Sequence, residues 1–393
     1  MRLLASATPF ARATITNFFF FLALNPFVLL PLHIQALGGT EADVGLVMGL
    51  YSAAGIVCQP LIGPWVDVLG RRPFMLGGIA LVLLAALLAV APAGIAGLAL
   101  VRLLQGVGFS LFFVASFSYV VDIVPPGERG WALGIYGVSG FVATAVAPLV
   151  GESIIRTAGF VPLFLLSALL TVVPFALVWP LREPRRGPVP AAPEPGRARS
   201  ALEDVLHVDM VLTAFFGLGS GAVFAFVPTF AESLGVRALS LFYTAYAGAA
   251  IAIRVAGGRL IDTRGRRAVI VPSMFVQVLA TALLSFVGVL AERGRTGPVL
   301  PALALTGLLS GGAHGFLYPG LAALITDRTP ETRRAAVVGV FSAMYLAGNA
   351  AGAFVFGLVA HTLGYAAMWW LLAVALLLGA VVSLRLARPA PAA

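Results

Sequence analysis

Two arginines and one histidine stand inside apolar runs. Arg102 and Arg254 each interrupt a long hydrophobic stretch, and His314 centres the segment Gly311-Gly-Ala-His314-Gly-Phe-Leu-Tyr318-Pro319. A charge in an apolar medium must face a cavity or a partner, or snorkel its head to the nearer water boundary. Histidine titrates near neutral pH and can relay a proton; it can equally stay neutral and hydrogen-bonded as a packing residue. The surrounding glycines allow close helix approach, and Pro319 invites a bend. Arg254 lies two turns before Asp262 and either pairs with it or binds an anionic ligand group. Glu152 follows Ala147-Pro148-x-x-Gly151 near the end of its run, as a protonatable gate or a plain interface carboxylate. Asn25, Tyr246, Tyr345 and Asn349 fall mid-run, where polar groups either contact substrate or tie helices together. Gln59 and Tyr318 complete the candidate substrate-binding set.

A second kind of motif lies between the runs. Gly63-Pro-Trp-Val-Asp67-Val-Leu-Gly70-Arg71-Arg72 recurs as Gly258-Arg-Leu-Ile-Asp262-Thr-Arg-Gly265-Arg266-Arg267, 195 residues later. Gly106, Asp122, Arg129 and Gly134 recur as Gly311, Asp327, Arg334 and Gly339, offset by 205. Carboxylates and guanidiniums at helix ends pair with each other or with helix dipoles. Pairs that form in one conformation and part in another would act as a latch. The plainer reading is that these charges mark topology and a tight turn.

The elements that must carry these residues follow from composition. Sixty per cent of the 393 residues are hydrophobic and ten per cent charged, whereas a soluble domain carries roughly a quarter charged residues. Lipid must therefore be the solvent for much of the chain. A span needs about 20 mainly apolar residues. Twelve such runs are expected: 13–35, 43–65, 73–92, 96–122, 130–156, 160–181, 208–233, 238–261, 268–291, 298–326, 334–360 and 364–386. They are apolar on all faces rather than alternating, which selects helices over barrel strands. The first run is too long for a secretory signal and reads as a retained span.

The net charge of +9 comes from arginine alone. With both termini inside, 19 of the 25 arginines fall on the inner side and four outside, the remaining two being Arg102 and Arg254. That is the positive-inside pattern, not a nucleic-acid face. The Pro- and Arg-rich stretch 182–207 divides the chain into an N-terminal unit, 1–181, and a C-terminal unit, 208–393, of six spans each. It is expected to be a cytoplasmic linker ending in a short interfacial helix that opens at Ser200. The single cysteine, Cys58, allows no disulfide framework. No phosphate-binding Walker loop, His/Cys metal cluster or nucleophile–base pair is present in the sequence, so neither ATP chemistry, a metal nor catalysis is expected.

Two matched blocks imply two homologous six-helix halves with a central site that alternates between the faces. The doubled Gly-x-x-x-Asp-x-x-Gly-Arg-Arg loop, the segment Arg102-x-x-Gln105-Gly106-x-Gly108 and the stretch Asp122-x-x-x-Pro126-x-Glu128-Arg129-Gly130 resemble the major facilitator superfamily over essentially the whole chain. The resemblance implies an all-helical membrane carrier of twelve helices. It implies a conformational latch built from Gly63, Asp67, Gly70, Arg71, Arg72, Asp122 and Arg129, and from Asp262, Arg266, Asp327 and Arg334. It matches Arg102 to an arginine of proton-coupled exporters, so that Arg102, His314 and Glu152 form the expected proton-coupling set. Exporters of this kind often carry Gly-Pro-x-x-Gly-Gly where this chain has Ala-Pro-x-x-Gly-Glu, which weakens the antiport inference. The absence of a carboxylate in span 1 and mid-span 7, with two buried arginines, favours anionic, zwitterionic or neutral amphiphilic substrates. The expected function is proton-coupled efflux of a small amphiphilic compound. Its rivals are uptake of a small organic acid or sugar-like metabolite, and carriage of a lysolipid. The expected setting is a bacterial inner membrane, with a monomer, its substrate and the bilayer as partners, no nucleic acid, and the proton gradient in place of a cofactor.

Overall fold

The computed structural model describes residues 2–125, 128–181, 183, 207–294, 297–329 and 334–386, with side chains for all but 2–7, 130, 258–259, 262, 292 and 334–336. The linker and its interfacial helix, apart from Glu183 and His207, lie outside the described residues, as do the side chains of Asp262 and Arg334.

Apolar side chains on every face leave the backbone no water to bond, and helices satisfy each N–H and C=O internally. The first six are α1 (Thr8–Ala36), α2 (Glu41–Leu69), α3 (Arg71–Val90), α4 (Gly94–Ile123), α5 (Trp131–Ala158) and α6 (Phe160–Val178). The next four are α7 (Val208–Ser233), α8 (Ser240–Ala256), α9 (Arg266–Ala291) and α10 (Val299–Arg328). A last apolar stretch, Val337–Ser383, breaks at Gly364. Its φ of 78° and ψ of 171° suit only glycine, so it yields α11 (334–363) and α12 (365–383). Among the described residues, ten stretches are long and apolar enough to span a membrane. Dividing the last at Gly364 and adding the 17-residue α8 gives the expected twelve. The chain is an integral multi-pass membrane protein.

Alternate helix ends gather on two faces. The ends of α2, α4 and α6 and the start of α3 meet around Arg71, on the face from which the linker leaves. The opposite, far face gathers the end of α1 with the starts of α2 and α12, and the end of α5 with the start of α8.

The two halves repeat each other atom for atom at several points. Arg71 Nε lies 2.9 Å from Asp122 while its Nη1 donates to the Val66 carbonyl at 3.4 Å. Arg266 Nε lies 3.0 Å from Asp327 while its Nη1 donates to the Ile261 carbonyl at 3.0 Å. Gly106 packs against the Tyr51 carbonyl and Gly311 against the Tyr246 carbonyl, so any side chain at either would strike backbone.

The buried apolar side chains form one cluster across both halves toward the far face, from Phe27, Val44 and Phe164 to Phe226, Phe230, Phe356 and Trp369. Toward the linker face they split in two. Phe20, Ile62, Met75 and Phe112 belong to the first half, and Met210, Ile270, Leu321 and Phe341 to the second. The halves are thus sealed on the far side and separately packed on the linker side. The α2–α11 seam carries the sealed contact: Gly45 and Gly49 admit Ala353 and Phe354, and Ser52 Oγ donates to Asn349 Oδ1 at 2.7 Å.

Candidate functional site

Between the halves, at mid-depth, lies a belt of aromatic rings fed by both repeats. In the C-terminal half the Tyr246 hydroxyl and His314 Nδ1 share a 2.7 Å hydrogen bond whose direction depends on the histidine tautomer. The His314 ring packs on Phe216 at 4.9 Å, Phe141 at 5.6 Å and Tyr318 at 6.3 Å. Tyr345 closes the ring system against Phe216 at 5.1 Å and Tyr318 at 5.9 Å. A cavity of about 20 Å³ beside His314, bordered by Ser220, Tyr246, Gln277 and Ser310, has room for a single water.

The N-terminal half builds the same frame with different chemistry. Tyr51 corresponds to Tyr246, Phe109 to His314 and Phe21 to Phe216 in the repeat. Tyr51 meets Phe109 at 5.5 Å and Phe21 meets Phe109 at 6.0 Å. Histidine thus occupies a position that is phenylalanine in the other half. In place of a titratable ring this half holds Arg102, whose guanidinium lies 4.5 Å over the Tyr51 ring and donates from Nη1 to Gln105 Oε1 at 3.0 Å. Only 8 % of Arg102 is exposed, so it does not snorkel to the boundary.

The remaining mid-depth residues divide by partner. Asn25 opens a 3₁₀ segment, Asn25–Leu29, that interrupts α1 where Pro26 removes a donor. Its amide donates to Thr144 Oγ1 at 3.0 Å. Asn349 bonds Ser52 across the seam, and Tyr345 stands beside Ser220 and Asn349. Gln59 accepts a hydrogen bond from Ser342, also across the seam. Arg254 reaches across to the first half, its guanidinium 4.7 Å from the centre of the Phe141 ring. Tyr246, Tyr318, Tyr345, Arg254 and His314 therefore meet in one belt, whereas Asn25 and Gln59 serve helix contacts.

Glu152 belongs to a different place. It is 8 % exposed on the far face and accepts from Arg156 Nη2 at 2.7 Å, from the Ser240 N–H at 2.8 Å and from the Leu239 N–H at 3.1 Å. The last two donors open α8, where unpaired N–H groups and the helix dipole favour a negative charge. A carboxylate of one half thus caps a helix of the other.

On the linker face, Gly70 takes φ 100° between α2 and α3 and brings Arg71 beside both Asp67 at 3.3 Å and Asp122 at 2.9 Å. Arg72 lies over the Trp179 ring at 5.4 Å, and Arg129 Nε donates to the Val121 carbonyl at 3.1 Å. Nothing lies near Gly63 on the side a side chain would occupy. Arg266 and Asp327 pair as the repeat requires. The pairs of Arg71 with Asp67 and Asp122, and of Arg266 with Asp327, each stay within one half.

Sequence reasoning missed Glu183, Asp209 and a set of four glycines. Glu183 accepts the Arg71 and Arg72 backbone N–H groups at 3.0 and 2.7 Å, capping α3 from 111 residues away or more, with no local signal. Asp209, 4 % exposed, pairs with His207 at 2.7 Å and Arg328 at 3.5 Å. Gly217 and Gly221 of α7 interlock with Gly348 and Gly352 of α11, backbone against backbone. Their four-residue spacing in both helices was the available signal.

The sequence pattern of the Major Facilitator Superfamily matches residues 12–294 and, again, 210–393. The chain is 27 % identical over 380 residues to the staphylopine export protein of Staphylococcus aureus (strain Mu50 / ATCC 700699), covering 93 % of this chain and 92 % of that one. It is 24 % identical to the multidrug resistance protein MdtG of Enterobacter lignolyticus (strain SCF1), over 90 % of this chain and 85 % of the relative. A crystal structure of a variant of the nucleoside transporter NupG superposes with a TM-score of 0.80 at 14 % identity, over 95 % of this chain and 98 % of that one. A doubled six-helix frame, one family pattern over nearly the full length and transporter relatives agree: the chain belongs to the Major Facilitator Superfamily and is a transporter, not an enzyme.

Proposed function

We propose that this protein exports a small amphiphilic organic compound in exchange for protons, by rocking its two halves about the midplane belt. The observation that carries the reading is the division of the apolar core. One cluster seals the halves on the far face, while two separate clusters on the linker face leave them free to part. Exchanging which side is sealed gives alternating access. The arginine distribution supports a cytoplasmic linker face, and with it cytoplasmic termini in a bacterial inner-membrane protein. The export direction rests on relatives named for export and drug resistance. Coupling rests on the Tyr246–His314 hydrogen bond, which holds the one mid-depth histidine among the described residues. The protein works as a monomer, with the bilayer as its setting and the proton gradient as its energy source. The linker-face pairs of Arg71 with Asp67 and Asp122, and of Arg266 with Asp327, set the energy gap between the two states.

The test is reconstitution in liposomes with an acid interior. Candidate compounds are added outside and proton efflux is recorded. Flux evoked by a compound and lost with His314→Ala supports the exchange. Compound movement without proton flux, unaltered by that substitution, replaces it with uniport.

A further inference from the structure

We propose that Arg254 is the anion-binding residue of the midplane site and that the site takes an organic monocarboxylate on an apolar or aromatic body. The inference deepens the transport reading and rests on it for the location of the site, but not for proton exchange.

The repeat exposes what is unusual here. Arg254 corresponds to Gln59, and Gly137 corresponds to Ser342. In the α2–α11 seam, Ser342 donates to Gln59 and the pair satisfies itself. In the matching α5–α8 seam the hydroxyl is missing. Arg254 reaches the same place and finds Gly137, and its Nη1 would lie 2.8 Å from a Cβ added there. The guanidinium rests instead on the Phe141 ring, and its Nε has no hydrogen-bond partner. A seam closed by a neutral bond on one side is, on the other, a cation with open donors.

No carboxylate among the described residues pairs with Arg254. Asp262 follows by eight residues, past the break at Gly257, and its side chain lies outside the described residues. Among the described residues no hydrogen bond or ion pair joins a carboxylate to Arg254, Tyr246, His314, Tyr318 or Tyr345. An unpaired, half-buried cation within a membrane span is costly and is stabilised by an anion that brings its own charge. One guanidinium matches one negative charge: Arg102 is on the opposite repeat, over Tyr51 and bonded to Gln105. A planar carboxylate meets a guanidinium with two parallel bonds. The rings of Phe141, Phe216, Tyr318 and Tyr345 are the wall for the rest of the molecule. An amine in the same place would face like charge.

The test is binding without any gradient, on the full chain in lipid nanodiscs, by titration calorimetry. The probes are 2-naphthoate, its neutral 2-naphthamide, the cationic 2-naphthylmethylamine, and decanoate for an alkyl body. At least one carboxylate is expected to bind, with amide and amine at least about tenfold weaker. Arg254→Gln should weaken the carboxylate roughly 30-fold and erase its advantage over the amide. Arg254→Lys, which keeps the cation, should retain the preference, and the exposed Arg237→Gln should change nothing. Equal binding of carboxylate and amide, tighter amine binding, no binding of either carboxylate, or a preference that survives Arg254→Gln would each overturn the assignment. The probe series on the unaltered protein decides the matter even if the glutamine variant does not fold. Carboxylate binding with no evoked proton flux in liposomes would remove the exchange mechanism and leave this site standing. Proton flux evoked equally by amide and amine would do the reverse.

Discussion

Replacing Glu152 with glutamine removes one negative charge and keeps the side chain's shape. The Arg156 contact is within α5 and does not hold the halves together. The Leu239 and Ser240 N–H groups do, since they belong to the other half. A hydrogen bond to a charged acceptor contributes about 1.5–3 kcal/mol, against about 1 kcal/mol for a neutral one. Glutamine still offers a carbonyl to these donors, so each bond weakens by roughly 1 kcal/mol and the far-face closure by about 2 kcal/mol in all. That shifts the closed-to-open ratio roughly 30-fold. The assay is double electron–electron resonance between spin labels at Thr157 and Ala238, exposed on either side of the closure, in a Cys58→Ala background. Glu152→Gln should move a large share of the population to longer distances, and Glu152→Asp should move less of it. A distance distribution identical to that of the parent would refute the reasoning that this carboxylate holds the two halves shut.

Four further outcomes are expected. Asp67→Asn should leave membrane insertion intact but slow transport about fivefold, the ~1 kcal/mol ceiling of a half-exposed ion pair, as measured by uptake into liposomes. His314→Phe should fold normally, since the other repeat holds Phe109 there, yet show counterflow of substrate with no accompanying proton flux. Gly221→Val should destabilise the C-terminal half by about 1–3 kcal/mol or more, because its Cβ strikes the Asn349 backbone. The lowered thermal midpoint should be absent in Gly134→Ala, where nothing lies within 4 Å. Glu183→Ala should lower the same midpoint by uncapping α3, a loss of about 1 kcal/mol.

The sequence alone determined the solvent, the number of spans and the doubling of the halves. Each is a local or periodic property. Apolar runs of fixed length have one way to satisfy their backbone in lipid, and two offsets of 195 and 205 residues tie the halves together. It also located the costly charges, because an arginine in an apolar run is visible without knowing its neighbours. It could not say what those charges face. Arg102 and Arg254 both interrupt apolar runs; packing set one on Tyr51 beside Gln105 and sent the other across the seam to Phe141 and a glycine. Glu152 read as a proton carrier or a surface carboxylate. Only the approach of α8 turned it into a cap between halves, since its partners are backbone N–H groups 87 and 88 residues away that carry no side-chain signal. Tertiary structure decided these points because a helix fixes which residues share its face, while the partner of that face is chosen by how distant helices pack.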